Sequence, residues 1–315
     1  MFSSFNFVNF KIGSLNCRGL NDNVKRQAIF EQLGNSDLTI LCLQETKLSP
    51  ELEFRYQSEW VNGPSFFNSV KGGKSGTAIL FNTRQVVVKN TIMDHLGRVI
   101  CIDVDINGTL LHVLNTYFPN VQSEQYSFIH NLQPYFHSPH PVVWAGDHNI
   151  STDNRVDRLP PRVGDDRFGS NILEILTGFD LVDACRVVYP RKKDVFTYAQ
   201  GATRSRIDKI IVNACFNVCA YEQTFVYHTD HVLISAQLQL NDFSERGKGV
   251  WKNNVSIYQN DCFKPEFEVL WYAWKLTAET QCPIKFWVQV KQKIKRFLID
   301  IGKRFSRLQK REKEK

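Results

Sequence analysis

No run of about eighteen consecutive apolar residues occurs in the 315-residue chain, which argues against a membrane-spanning helix. The stretch from Met1 to Gly13 is rich in phenylalanine. It has neither a cationic segment nor a long apolar core, so it does not read as a secretory signal. No internal repeat of fixed period is visible, and only the last fifteen residues approach low complexity. None of the eight cysteines forms a C-x-x-C pair. Cys17, Cys42, Cys101, Cys185, Cys215, Cys219, Cys262 and Cys282 are scattered, mostly in apolar runs. They read as reduced, buried thiols rather than zinc ligands or disulfides, which suits a cytosolic or nuclear compartment.

What is present can fold. Hydrophobic residues make up 43% and aromatics 12%, enough for a sizeable core and against wholesale disorder. The net charge of +7 is unevenly placed. From Lys248 to Lys315 there are 16 basic and 7 acidic side chains, whereas the first 247 residues hold 23 basic and 25 acidic. A basic tail on a mildly acidic body points equally to a polyanionic partner or to a solvated helix face.

Up to about residue 240, short apolar runs bounded by Gly, Asn or Asp alternate with polar stretches. Strands are expected at Lys11 to Leu15, Leu38 to Gln44, Thr77 to Phe81, Val86 to Lys89, Val99 to Ile106, Leu110 to Asn115, Pro141 to Gly146, Lys209 to Val212 and Val232 to Leu238. Asn107-Gly108 marks a hairpin turn. Helices are expected at Asn23 to Leu33, Glu124 to Phe136 and Ser170 to Thr177. Hairpins mixed with helical crossovers argue for an α/β fold with two mixed, facing sheets and helices outside. The expected division is a domain over 1–240, a polar linker over 241–250 and a basic amphipathic helical extension over 251–315. In the extension, Phe267, Leu270, Trp271 and Trp274, then Phe286, Val290, Ile294, Phe297, Leu298 and Ile301, recur at helical spacing.

Polar residues gather where these strands end. Asn16 closes the first strand, and Glu45 emerges from the buried segment I-L-C-L-Q-E, where a carboxylate suits a hard cation such as Mg²⁺. N-T-Y-F-P-N carries Asn115, Tyr117 and Asn120. G-D-H-N carries Asp147 and Asn149 two residues apart, which on an extended backbone puts both on one face. One can then take a proton from water while the other donates to a phosphate oxygen. S-R-I-D presents Asp208, and T-D-H presents Asp230 and His231. An Asp208–His231 hydrogen bond would fix the imidazole and leave Asp230 free for metal.

The ordered set L-N-C-R-G, L-Q-E-T, N-T-Y-F-P-N, G-D-H-N, S-R-I-D and T-D-H resembles the exonuclease III-like endonuclease/exonuclease/phosphatase family over residues of roughly 10 to 240. Within it the chain looks most like the endonuclease domain of LINE-type (non-LTR) retrotransposon polyproteins. L-N-C-R-G-L-N, Lys25-Arg26, L-V-D-A-C-R, F-T-Y before S-R-I-D, and G-K-G-V-W-K-N-N carry that closer likeness.

The resemblance implies a four-layered α/β sandwich and Mg²⁺-dependent DNA cleavage, with Mn²⁺ as a substitute. Glu45 would bind the metal with Asn16 in support, and Asp230 would be a further ligand. Asp147 would orient or deprotonate the attacking water, and Asn149 would hold the scissile phosphate. Tyr117 and His231 would stabilise the transition state, with Asp208 orienting His231. The implied partners are DNA and, through the basic extension, RNA, with no membrane and with nuclear action.

Departures from the family pattern are Arg18 where repair-type relatives commonly carry an acid, His148 where Phe is frequent, Thr229 in place of Ser, and a short A-Q-G-A-T-R segment. His148 is expected to pack behind the site. With no F/Y-x-D-D signature, the chain reads as a piece or a truncated copy of an element. Three rival readings remain: an abasic-site or exonuclease III-type repair enzyme, a phosphatase, and a non-enzymatic nucleic-acid-binding remnant.

Overall fold

Side-chain alternation along the strands decides the layering. In β2 (Ile40–Gln44) every residue is buried, yet Ile40 and Cys42 belong to one core while Leu41 and Leu43 belong to another. A strand covered on both faces reads in sequence as an unbroken apolar run. The computed structural model describes residues 8–161, 167–240, 257–258, 263–275 and 283–313. It divides into two units, Met1–Asp242 and Phe243–Lys315. The linker expected at 241–250 lies outside the described residues.

The first unit contains two six-stranded sheets. One has the order β14 (Phe216–Thr224), β15 (Leu233–Leu240), β1 (Val8–Asn16), β2, β4 (Thr77–Phe81), β3 (Ser65–Asn68). The other runs β10 (Leu181–Asp183), β13 (Asp208–Asn213), β8 (Val142–Asp147), β7 (Thr109–Tyr117), β6 (Val99–Ile106), β5 (Val86–Met93). Between them lies a shared core that includes Ile12, Ile79, Ile102, Val113, Val143 and Ile210. On the outer face of the first sheet, Leu15, Leu41 and Leu80 pack with Ile29 and Leu33 of α1 (Asn23–Gly34) and Tyr56 of α2 (Glu53–Glu59). On the outer face of the second, Leu114 and Trp144 pack with Phe128 and Ile129 of α3 (Gln122–Leu132) and Ile172 of α4 (Arg167–Gly178). Helices, sheet, sheet and helices make the four layers.

Each sheet contains one parallel pair, β1 with β2 and β7 with β8. A parallel pair needs a crossover, and α1 and α3 supply them. Asp22 starts α1 by accepting the Lys25 amide at 2.8 Å. The β6–β7 hairpin turns at Asn107 (φ 52°) and Gly108 (φ 83°), the two left-handed residues of a type I′ turn. Both parallel pairs therefore deliver their C-terminal ends, and the residues just beyond them, to one rim.

Gly146 lies on that rim, directly opposite Thr116. Its φ is +155°, and an added Cβ would meet the Thr116 carbonyl oxygen at 2.0 Å. Gly146→Ala is expected to lower stability by about 2–3 kcal/mol, read from the urea midpoint of unfolding.

The six strands that sequence runs did not single out include β14, irregular at Val218/Ala220. Three more, β11 (Tyr198–Gln200), β12 (Thr203–Ser205) and β9 (Arg158–Leu159), form a small separate sheet. The helix expected to Phe136 ends as an α-helix at Leu132 and tightens into a 3₁₀ turn over Gln133–Phe136, where Pro134 has no amide to donate. Of the cysteines, Cys17, Cys42, Cys101 and Cys185 are buried free thiols, but Cys215 is half-buried and Cys219 exposed on β14. Cys262 and Cys282 lie outside the described residues.

The second unit pairs α5 (Phe263–Lys275) with α6 (Pro283–Lys313). Phe297, Leu298 and Ile301 meet Ile257, Phe263, Phe267, Leu270 and Trp274 in its core. Arg304 pairs with Glu266 across the two helices. Among the described residues no helix is long and apolar enough to cross a membrane.

Candidate active site

Six segments meet where the two sheets end side by side. Asn16 is the last residue of β1, Glu45 follows β2, Tyr117 ends β7 and Asp147 ends β8. Because β13 runs antiparallel to β8, its first residue, Asp208, pairs directly with Asp147. His231 precedes β15 and bridges to Tyr198 of β11.

Hydrogen bonds then join one sheet to the other. The Asn16 amide donates through Nδ2 to Asp147 Oδ2 at 2.9 Å and to Glu45 Oε1 at 3.2 Å. The Tyr117 hydroxyl donates to the same Glu45 oxygen at 2.7 Å, and Lys47 Nζ pairs with Oε2 at 2.7 Å. His231 Nδ1 contacts Asp208 Oδ2 at 2.9 Å. Underneath, buried Asn115 donates to the Leu43 and Ala78 carbonyls and accepts from Gln44, locking β7 to the first sheet.

The electrostatics divide the roles. Burial raises the Asp147 carboxyl to about 6, with the nearby Asp208 charge adding to it. Burial alone would lower the His231 imidazole, but Asp208 outweighs it, helped by Asp147 and Asp230, and the group rises to about 9. Burial opposes ionisation of Glu45, yet hydrogen bonds from Lys47, Tyr117 and Asn16 prevail and its carboxyl falls below the usual range. The Tyr117 phenol is raised, first by burial and then by Glu45 beside it.

The expected side chains come together with three differences. Asp147 and Asn149 do not share an extended face. The strand stops at Asp147, Asn149 turns left-handed (φ 50°), and its amide N–H binds Asp147 Oδ1 at 2.9 Å. Its Nδ2 donates to the Phe118 carbonyl at 2.9 Å and to Asn120 Oδ1 at 2.7 Å, so its phosphate contact is not preformed. The Tyr117 hydroxyl proton is committed to Glu45 rather than to an open site. Asp230 is not free: its Oδ2 binds Arg18 NH1 at 3.0 Å.

Two contributors were not anticipated. Lys47 stands two residues after Glu45 in the same L-Q-E-T-K run, a signal that was present. Thr197, the middle residue of the F-T-Y segment, accepts the Asp208 amide through Oγ1 at 3.1 Å, a role its residue type did not mark. His148 packs between Phe118 and Trp144, ring centroids at 4.9 and 4.6 Å, and burial holds it neutral.

Behind the site is a buried ion network. Asp157 binds Arg206 Nε at 2.7 Å and also Arg186, and Arg206 NH1 lies 2.8 Å from Asp183. Lys209 Nζ donates to the Ile150 and Arg206 carbonyls at 2.7 and 3.1 Å, tying the segment after Asp147 to the one before Asp208.

Two oxygen-rich sets face a cation differently. Glu45 offers hard carboxylate oxygens, steadied by Asn16, whose own Oδ1 accepts the Arg18 amide at 2.9 Å, and the Lys47 ammonium on Glu45 shows that this carboxylate takes a cationic partner. Asp147, Asp208 and His231 offer atoms within 4.8 Å of one another. That second set fits a metal poorly, because an imidazole held protonated against Asp208 has no lone pair to give.

The sequence is similar over 89% of its length, at 25% identity, to the "Transposon TX1 uncharacterized 149 kDa protein" of Xenopus laevis, of which it spans 22%. It is 26% identical to a "DNA-(apurinic or apyrimidinic site) endonuclease" of Dictyostelium discoideum, covering 73% of this chain and 71% of that protein. The fold matches the AP endonuclease LMAP from Leishmania major with a TM-score of 0.60 at 18% identity, over 73% of this chain and 88% of that one. The profile of one family matches residues 13–231, a span that includes the whole second sheet and every rim residue from Asn16 to His231 and stops just before β15. A match over well over half its length shows that the chain belongs to the Endonuclease/Exonuclease/phosphatase family.

Proposed function

We propose that the chain is a divalent-metal-dependent DNA endonuclease of the LINE type, nicking one strand to leave a 3′-hydroxyl for target-primed reverse transcription. One observation carries the reading: a buried carboxylate near neutrality, Asp147, is wired through Asn16 to Glu45 and faces an Asp208-anchored imidazole. Hydrolysis of a phosphodiester needs a base for water and a donor for the charge that grows on the phosphoryl oxygens.

Asp147 takes the proton of the attacking water as the water oxygen bonds to phosphorus; the bond from phosphorus to the 3′ oxygen breaks, and that oxygen leaves as the 3′-hydroxyl with a proton from solvent. His231, fixed through Nδ1, presents Nε2–H to the developing oxyanion. The Asn149–Asn120 bond is exposed, and it is the one that a phosphate oxygen would replace. Glu45, with Asn16 in support, would hold Mg²⁺, which would supply Lewis-acid stabilisation of the phosphoryl oxygens. Tyr117 steadies Glu45.

The transposon branch is supported by the extent of the TX1 likeness. It covers a larger share of the chain than the first unit alone can supply, so it runs on into the second unit. The likeness to the Dictyostelium enzyme supports an abasic-site activity as the second reading. Acting on chromosomal DNA would place the protein in the nucleus, and the basic second unit would engage RNA.

Wild-type protein should convert intact supercoiled plasmid to nicked circles in Mg²⁺, stop in EDTA and recover with excess metal. Cleavage confined to abasic duplex would replace the proposal by the repair reading. Glu45→Gln is expected to raise the Mg²⁺ concentration for half-maximal nicking by at least about tenfold.

A further inference from the structure

We propose that the loop between β14 and β15 is a preformed platform on which an unpaired base of the DNA beside the scissile phosphate stacks, with Phe225 and Tyr227 as the contact rings. This rests on the endonuclease reading and adds which part of the substrate is read.

Phe225 is 87% and Tyr227 83% exposed, while Val226 between them is buried in the core under α1. Two large rings two residues apart, both left in water on a fixed backbone, make an apolar contact surface rather than a single stray side chain. Here it is fixed at four points. Gln32 Nε2 donates to the Phe225 carbonyl at 3.2 Å, and Val226 fills the core. The Thr229 hydroxyl donates to the Asn16 carbonyl at 2.8 Å, and Asp230 binds Arg18. The rings are thus held outward on a loop that cannot collapse over them.

Place and charge name the occupant. The loop runs directly into His231, and Tyr227 precedes it by four residues, so their Cα atoms are at most about 15 Å apart. That is the span of a few nucleotides. Arg18, whose side chain is 63% exposed, stands beside the loop, and Lys25 Nζ donates to the Arg18 carbonyl at 3.1 Å. Aromatic rings flanked by cations suit splayed bases on a phosphate backbone. Within this platform Asp230 is a positioning residue: its carboxylate anchors the loop to Arg18 and does not ligate metal.

The test is fluorescence anisotropy on the full chain in EDTA, where binding is read without turnover. A fully paired duplex is compared with one carrying a small unpaired bubble. Wild type should bind the bubble about tenfold more tightly. Phe225→Ala/Tyr227→Ala should bind both DNAs nearly equally with an unchanged melting temperature, and Tyr227→Phe should keep the preference. Asp230→Asn should weaken the preference and leave Mn²⁺ affinity, read by titration calorimetry, at the wild-type value.

The platform is overturned if wild type shows no preference, or if the double variant retains it. The anchoring role of Asp230 is overturned if Asp230→Asn weakens Mn²⁺ binding tenfold. Wild type that prefers the bubble but never nicks DNA sinks the endonuclease reading and leaves the platform standing. Nicking with an unchanged preference in the double variant does the reverse.

Discussion

His231→Ala and Asp147→Ala should each lower Mg²⁺-supported plasmid nicking by about 10²–10⁴-fold, the usual range for a positioned acid or base. The physical case differs for the two. Asp147 is buried and raised to about 6, so near neutrality it is largely ionised yet basic enough to accept a proton from water. Alanine leaves no acceptor there, and Asn16 loses its stronger hydrogen-bond partner. His231 is raised to about 9 by Asp208 despite burial, so it is an imidazolium at neutral pH and a charged donor. Its loss removes stabilisation felt mainly in the transition state, which should appear in kcat with little change in KM. Asp208→Asn tests the anchor, since an amide no longer favours the imidazolium. Nicking by all three proteins at the wild-type rate would mean that this rim is not where DNA is cut.

The largest effect on stability should come from Asp157→Asn. Asp157 and Arg206 are fully buried, and removing the Asp157 charge leaves the guanidinium with Asp183 as its one remaining carboxylate. Breaking such a pair costs about 3–5 kcal/mol, to be read from urea midpoints at neutral pH. The pH dependence has a definite sign. Burial opposes ionisation of Asp157, but Arg206, Lys209 and Arg186 outweigh it and hold its carboxyl below the ordinary 3.8. The unfolded chain therefore binds this proton first. The contribution of Asp157 is complete above about pH 4 and is lost as the pH falls further through the folded value. Wild type should show a steep fall in stability there, and the variant a shallower one. Equal slopes would remove Asp157 from the acid transition.

Much of the fold was legible because burial on both faces leaves a plain trace. The runs at Ile40–Leu43 and Ala78–Phe81 are apolar throughout, and Asn107-Gly108 marks its hairpin without help from the rest of the chain. The strand β14 was harder, although Phe216, Val218 and Tyr221 are its buried residues. A bulge at Cys219 breaks the alternation midway. The strands β9, β10, β11 and β12 are two or three residues long and have no period to detect.

The site divides in the same way. Residue types at strand ends were enough to pick Asn16, Glu45, Tyr117, Asp147, Asn149, Asp208 and His231 as neighbours-to-be. The Asp208–His231 bond was among the pairings that the rim carboxylates and its imidazole allowed, and the structure makes it at 2.9 Å. What each side chain does once there could not. Asn149 is turned by a left-handed backbone, Tyr117 is spent on Glu45, and Asp230 is taken by Arg18, which lies 212 residues away in the chain.

The sequence by itself determined the layers, the rim and its chemical inventory, because hydrophobic period and strand-end polarity are local properties. Only the tertiary structure decided the partners. A hydrogen bond of 2.9 Å or an ion pair of 3.0 Å depends on where two distant segments stop relative to each other. That registry is set by packing two sheets face to face, and no local pattern records it.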